Sequence, residues 1–169
     1  ITTSYYDYYN KSTYDLPNID YTQYHAYQKS VIKTMQHVVQ RFSRFNKPFV
    51  FAEFGNNSAD GVDDKDKKGV FLHAGIWGQA MQPVGGNAMP WWWNTHIAPN
   101  ELYYHFKALS AFLKDVDRRG KDWQPIRETW AVSRRLGLKE TVYLHALRSP
   151  ELTMGWIVDS RALNADDGV

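Results

Sequence analysis

A single carboxylate near the end of a short apolar run could do chemistry. The run reads Lys-Pro-Phe-Val-Phe-Ala-Glu-Phe-Gly over residues 47–55, so Glu53 is followed by Phe54 and Gly55. Because the run is too short for a helix and is apolar at both parities, we expect a buried strand. Burying an unpaired carboxylate is costly, so Glu53 should lie at the strand end, where polar groups and a ligand can reach it. One interpretation is a working acid at a functional site, and the other is a structural acid paired with a neighbouring loop.

Two other stretches could contribute to the same site. His25 and Tyr27 lie in the β-prone stretch 19–27, where the strand period of two places both side chains on one face. A second β-prone stretch, 88–95, carries a run of aromatic and amide side chains: Trp91, Trp92, Trp93 and Asn94. Because neighbours in a strand point to opposite faces, we expect one or two of these tryptophans in a cleft and the rest in packing.

These side-chain types suit a sugar. Indole rings offer flat apolar faces to the C–H surface of a sugar ring. Four further groups could bind sugar hydroxyls: Asn56, Asn57, Asn94 and His96. Ordinary packing is the alternative for each pattern, and it is our interpretation of His73 and Trp77, which lie one helical turn apart.

Metal binding has weaker support. An acidic segment contains Asp60, Asp63, Asp64 and Asp66. It lacks the spacing and the bidentate Glu of an EF-hand loop, so a solvated loop is favoured over a Ca²⁺ site. The chain has no cysteine, and the other histidines form no spaced ligand set: His37, His105 and His145. We expect neither a metal nor a cofactor.

The remaining pattern shows which elements must position these groups. Apolar residues at helical spacing predict a helix over 31–45, a second over 70–81, and a third that Asn100 caps and that runs to residue 116. Strands are expected over 1–6, 19–27, 47–55 and 88–95. Alternation of strand and helix predicts parallel strands covered by helices.

The pattern changes after Gly120. Three β-rich stretches follow, over 129–134, 140–148 and 152–159, and short turns separate them. They predict an antiparallel sheet. We therefore expect two units, a βα segment over 1–119 and a β-rich domain over 120–169.

Composition excludes several function classes. The 169 residues carry a formal net charge of +2, spread evenly, which does not favour nucleic acid or an anionic membrane as partner. No apolar stretch approaches the roughly 20 residues that span a bilayer. The first four residues, Ile-Thr-Thr-Ser, are typical of the middle of a strand, so we expect the chain to be a segment of a larger fold.

Four motifs together resemble one enzyme superfamily. They are Tyr24-His25-Ala26-Tyr27, Phe51-Ala52-Glu53-Phe54-Gly55, His73-Ala74-Gly75-Ile76-Trp77 and Trp91-Trp92-Trp93-Asn94. Their order and spacing over residues 1–117 resemble the C-terminal half of retaining (β/α)8 glycoside hydrolases of clan A, the cellulase and β-mannanase type. The β-rich tail resembles, less specifically, the small sandwich domains that often follow such barrels.

The resemblance implies a fold and a function. The fold is the C-terminal half of a TIM barrel, about strands 5–8, followed by an antiparallel β-sandwich-like segment. Glu53 would be the nucleophile, and seven residues would bind the substrate: His25, Tyr27, Asn56, Trp91, Trp92, Trp93 and Asn94. The partners would be a β-linked polysaccharide or oligosaccharide and the N-terminal half of the barrel, in an extracellular or periplasmic setting.

Two departures from the family pattern qualify this expectation. The general acid/base, a Glu preceded by Asn on the fourth strand, is missing from this segment, so residues 1–169 alone should be inactive. Asn94 stands where related sequences often have Asp. A non-catalytic carbohydrate-binding protein with a barrel-like fold is the alternative.

Overall fold

A parallel and an antiparallel sheet, each of three strands, organise the mixed α/β fold. The computed structural model describes residues 1–5, 10–27, 31–55, 66–132 and 140–159. In chain order the elements are α1 (Lys11–Tyr14), β1 (Thr22–Tyr27), α2 (Val31–Phe42), β2 (Phe49–Gly55), α3 (Val70–Ala80), β3 (Met89–Pro90), α4 (Tyr104–Leu113), β4 (Gln124–Val132), β5 (Glu140–Arg148) and β6 (Thr153–Asp159). A 3₁₀ turn follows α2 over Ser43–Phe45, and a π-helix follows β3 over Trp93–Ile97.

The parallel sheet has the strand order β1-β2-β3, and α2 and α3 connect its strands. Parallel neighbours need a long crossover, which the two helices supply. The predicted alternation of strand and helix is confirmed for these elements. Helix α2 buries the apolar residues that the spacing predicted, namely Val31, Met35, Val38, Val39 and Phe42. The chain then leaves the helix at Asn46, whose φ of 50° is left-handed, a conformation that Asn tolerates well.

Helix α3 lies close to its neighbours because two of its residues lack side chains. A Cβ at Gly75 would come within 2.8 Å of Cδ2 of Phe54, which belongs to β2. A Cβ at Gly78 would lie 3.1 Å from Cγ1 of Ile32, on α2. The glycines therefore allow α3 to pack directly against the sheet and against α2.

Three sequence predictions differ from the structure. Residues 1–5 form no strand, although the Ile1 carbonyl accepts a hydrogen bond from the Asp20 backbone N–H. The strand expected over 88–95 shrinks to Met89–Pro90, because the chain turns into the π-helix. Asn100 does not cap the third helix: its Nδ2 donates to the His96 carbonyl at 2.8 Å, and α4 begins later, at Tyr104.

The prediction of an antiparallel sheet after residue 120 is confirmed. Strand β4 begins earlier than expected and includes Pro125, which an edge strand tolerates. The sheet packs against the helices: Gln36 Nε2 on α2 lies 2.9 Å from Nδ1 of His145 on β5, and the rings of Trp77 and Trp156 are 6.2 Å apart. Among the described residues, no helix is long and apolar enough to cross a membrane.

Candidate active site

The side chains that could take part in catalysis lie together at the carboxyl ends of the three parallel strands. In the register of β1 and β2, His25 lies opposite Glu53 and Tyr27 lies opposite Gly55. Strand β3 pairs with the other edge of β2, with Pro90 opposite Phe54. Residues that come from distant parts of the sequence therefore meet at one end of one sheet.

A β-bulge directs Glu53 away from the helices. Phe51 lies on the helix side, because its register partner Tyr24 packs against the Phe42 ring of α2 at 5.8 Å. The next pair is His25 with Glu53, so Ala52 is an extra residue in β2. Without it, the period of two would place Glu53 on the same side as Phe51. The bulge instead places Glu53 on the opposite face, and bulges are often found beside active sites in this role.

A tyrosine hydroxyl and an imidazole nitrogen lie beside one oxygen of Glu53. The Tyr27 hydroxyl donates a short hydrogen bond to Oε2, and Nδ1 of His25 lies 3.2 Å from the same atom. The His25 imidazole is therefore within ion-pair distance of this carboxylate oxygen. The Glu53 side chain is 25% exposed and that of His25 is 17% exposed. The carboxylate is therefore both fixed in place and accessible from solvent.

Aromatic rings close over the end of β2. Tyr27 and Trp92 meet edge to face, with centroids 6.1 Å apart and planes at 86°. A Cβ at Gly55 would lie 2.6 Å from Cζ3 of Trp92 and 2.8 Å from Cδ1 of Tyr27. Only glycine leaves room for both rings at this position.

Among the described residues, the other predicted site residues form no hydrogen bond or ion pair with Glu53. Trp91 and Trp93 are 61% and 53% exposed, whereas Trp92 is 9% exposed. Asn94 is exposed within the π-helix. Asn56 and Asn57 lie outside the described residues. The structure thus brings together His25, Tyr27, Glu53 and Trp92.

Asp66 is buried, so the prediction of a solvated loop is wrong for this residue. It is 2% exposed, and its carboxylate accepts the backbone N–H groups of Val70 at 2.6 Å and Phe71 at 3.1 Å, at the start of α3. Burial raises the pKa of the Asp66 carboxyl, and the two backbone donors oppose that shift. The N-cap position itself is Gly69, so Asp66 reaches the helix only because residues 66–69 turn back, and no N-cap pattern in the sequence marks it. Asp60, Asp63 and Asp64 lie outside the described residues.

His96, expected to bind sugar hydroxyls, is buried instead. It is 8% exposed, and its Nε2 lies 3.9 Å from Oδ2 of Asp66. Its position inside the π-helix explains the difference, because the expected strand would have carried it to the sheet end. His96 therefore lies beside the capping carboxylate of α3.

The packing interpretation of His73 and Trp77 is confirmed. Their rings stack with centroids 5.6 Å apart. His73 Nδ1 also lies 3.2 Å from Nδ1 of His105, whose Nε2 donates to the Lys68 carbonyl at 2.9 Å. In neutral His105 the Nδ1 must then accept, so His73 donates from Nδ1. Burial, with a contribution from His105, lowers the pKa of His73 to about 4.

Within the described ranges, no three His, Cys, Asp or Glu side chains are grouped so as to hold a metal ion. Comparison with protein families, curated proteins and solved structures finds nothing that matches this chain. Its function must therefore be inferred from the geometry of the sheet end.

Proposed function

We propose that this chain is the C-terminal half of a retaining (β/α)8-barrel glycoside hydrolase, followed by a β-sandwich-like domain, with Glu53 as the nucleophile. The observation that supports this most is the convergence of the Tyr27 hydroxyl and His25 Nδ1 on Oε2 of Glu53. These groups lie at the carboxyl ends of neighbouring parallel strands, where (β/α)8 enzymes have their active sites.

Glu53 suits the first step of a retaining mechanism. Because the Tyr27 hydroxyl binds Oε2 and His25 Nδ1 lies beside the same oxygen, we assign the attack on the anomeric carbon to Oε1. As the new C–O bond forms, the bond to the leaving oxygen breaks, and a second carboxyl group about 5–5.5 Å away protonates that oxygen. Water, activated by this second group, then hydrolyses the glycosyl ester. We assign the second group to a preceding strand of the barrel, in line with the family resemblance.

The proposed substrate is a β-linked polysaccharide or oligosaccharide, handled outside the cell or in the periplasm. Its recognition would use the exposed indoles of Trp91 and Trp93, since flat apolar faces stack on sugar rings. Asn94, the exposed residue that follows Trp93 in the π-helix, offers its amide to a sugar hydroxyl. No step of this chemistry calls for a metal or a cofactor.

Covalent labelling tests the proposal directly. A 2-fluoro glycoside with a good leaving group, added to a protein that includes the preceding barrel strands, should leave its sugar on Glu53, to be located by peptide mass spectrometry. Glu53→Gln keeps the size but removes the charge, so labelling should vanish and turnover should fall by several orders of magnitude while sugar binding survives. Glu128→Gln, at an exposed position of β4, is the matched control and should behave as wild type.

A label on another carboxylate, or near-normal turnover of Glu53→Gln on a substrate that the wild type cleaves, would return Glu53 to a structural role. A carbohydrate-binding protein without catalysis is the second candidate. The exposure of Trp91 and Trp93 favours it, because these rings could stack on a glycan whether or not Glu53 reacts. Glycan binding by calorimetry, without hydrolysis or labelling by the same glycan class, would favour this candidate.

A further inference from the structure

We propose that Trp92 is a positioning residue, whose ring holds the Tyr27 phenol against Glu53, and not a stacking surface for sugar. The inference rests on the proposed function for its catalytic consequence. Its geometric part concerns three side chains of this chain and can be tested without any substrate.

Exposure separates Trp92 from its neighbours. Trp92 is 9% exposed, against 61% for Trp91 and 53% for Trp93. A stacking surface must present a ring face to solvent before the sugar arrives, and protein atoms already cover nearly all of Trp92. The two flanking tryptophans meet that requirement and Trp92 does not.

The indole fills the space above Gly55. The Cζ3 and Cη2 atoms of Trp92 and the Cδ1 atom of Tyr27 all lie within 2.8 Å of the point where a Cβ of Gly55 would stand. Gly55 is the register partner of Tyr27. The Tyr27 ring belongs to β1, and the Trp92 ring that it contacts follows β3 in the chain. Because Gly55 in the middle strand β2 has no side chain, the Tyr27 and Trp92 rings can touch.

The backbone holds Trp92 in this place. Two residues earlier, Pro90 pairs with Phe54 of β2. The Trp92 carbonyl then accepts the N–H groups of His96 at 3.0 Å and Ile97 at 3.2 Å, in the π-helix. The indole is thus anchored on both sides along the chain.

The consequence reaches Glu53 through Tyr27. The Tyr27 ring is 7% exposed, its edge-to-face partner is Trp92, and its hydroxyl binds Oε2 of Glu53. Edge-to-face aromatic pairs have a preferred geometry, so the indole restricts the angle at which the phenol lies. Removing the indole leaves a void beside Tyr27 that permits the phenol to leave the carboxylate.

A double-mutant cycle tests this role. The variants are Trp92→Leu, Tyr27→Phe and both together, in the protein that includes the preceding barrel strands. Losing one hydrogen bond to a charged group should lower kcat about 10- to 100-fold in each single variant, with KM little changed. If Trp92 acts through Tyr27, the double variant should be no slower than Tyr27→Phe. Trp92→Phe, which keeps a ring, should recover most of kcat.

Trp91→Leu and Trp93→Leu are the matched controls, and we expect them to raise KM. The positioning role would be overturned if the kcat of the double variant fell by the product of the two single losses. It would also be overturned if Trp92→Leu raised KM and left kcat unchanged. If Trp92→Leu does not fold, Trp92→Met, which also removes the ring, replaces it in the cycle.

A measurement without substrate separates this inference from the proposed function. The Tyr27 hydroxyl proton can be observed by proton NMR at low temperature and assigned by its absence in Tyr27→Phe. In Trp92→Leu it should exchange with solvent at least 10-fold faster than in wild type or Trp91→Leu. Unchanged exchange would refute the positioning role whatever the activity. Faster exchange in a protein that cleaves no glycan would uphold it and refute the glycosidase proposal.

Discussion

His25 lies directly opposite Glu53 in the register of β1 and β2, and its Nδ1 is 3.2 Å from Oε2 of the carboxylate. The pairing depends on the extra residue Ala52, which reverses the direction of the Glu53 side chain relative to Phe51. The pairing of β1 with β2 therefore aligns His25 with Glu53, and the bulge sets the direction of the Glu53 side chain. Both are needed before Glu53 can receive donors from β1.

The His25 contact predicts a loss of turnover. His25→Ala should lower kcat about 2- to 5-fold, because a partly exposed ion pair is worth up to about 1 kcal/mol. Steady-state kinetics on a cleaved β-glycan, with the protein that includes the preceding barrel strands, measures this loss. His37→Ala is the matched control, since His37 is exposed on α2 and should leave kcat unchanged. Equal kcat in wild type and His25→Ala would mean that Glu53 does not need this contact.

Gly55→Ala should disturb both rings that meet over the glycine. A methyl group would have to displace Trp92 or Tyr27, and overpacking of this kind costs about 1–3 kcal/mol. We expect a lower free energy of unfolding by urea titration and a reduced kcat. Gly86→Ala is the control, because its Cβ would meet only Cγ1 of Val50, at 3.7 Å. Comparable stability of the two variants would contradict the close approach at Gly55.

Asp66 should stabilise the start of α3. Asp66→Ala leaves the N–H groups of Val70 and Phe71 without their acceptor, and losing such a cap costs about 0.5–2 kcal/mol. Urea titration should show the loss. Asp66→Asn keeps one acceptor oxygen and should lose less. If the Asn variant were the less stable of the two, the charge rather than the cap would be the contribution that matters.

Acid should destabilise the fold through His73. Its pKa is lowered to about 4 in the folded chain, while the unfolded chain titrates near 6.5. Between these values the unfolded state binds more protons, so the contribution of neutral His73 is complete above pH 6.5 and is lost as pH falls toward 4. Burial lowers the pKa of His145 as well, which acts in the same direction.

Urea titrations between pH 4 and 7 measure this dependence. His73→Gln removes the titrating ring and should make the free energy of unfolding less dependent on pH over that range. His37→Gln, at an exposed position of α2, is the control and should keep the wild-type slope. An unchanged slope in His73→Gln would assign the acid sensitivity to other groups.

The sequence alone determined the local periodicities. The apolar spacing of α2, the apolar run of β2 and the shared face of His25 and Tyr27 follow from geometry within a few residues, so they could be predicted. The order of strand and helix then implied parallel pairing. Asp66 could not be found the same way, because Gly69 occupies the N-cap position and only the 66–69 turn brings the carboxylate to the start of α3.

Only the tertiary structure decided where the site residues point. Ala52 becomes an extra residue only when β2 is paired with β1, because a bulge is a property of two strands and not of one. Trp92 lies over Gly55 because β3 pairs with β2 and because the chain then turns into the π-helix. The same turn ends the expected strand early. Three identical indoles in a row differ in exposure because their surroundings come from distant parts of the chain, and a sequence period contains no information about those surroundings.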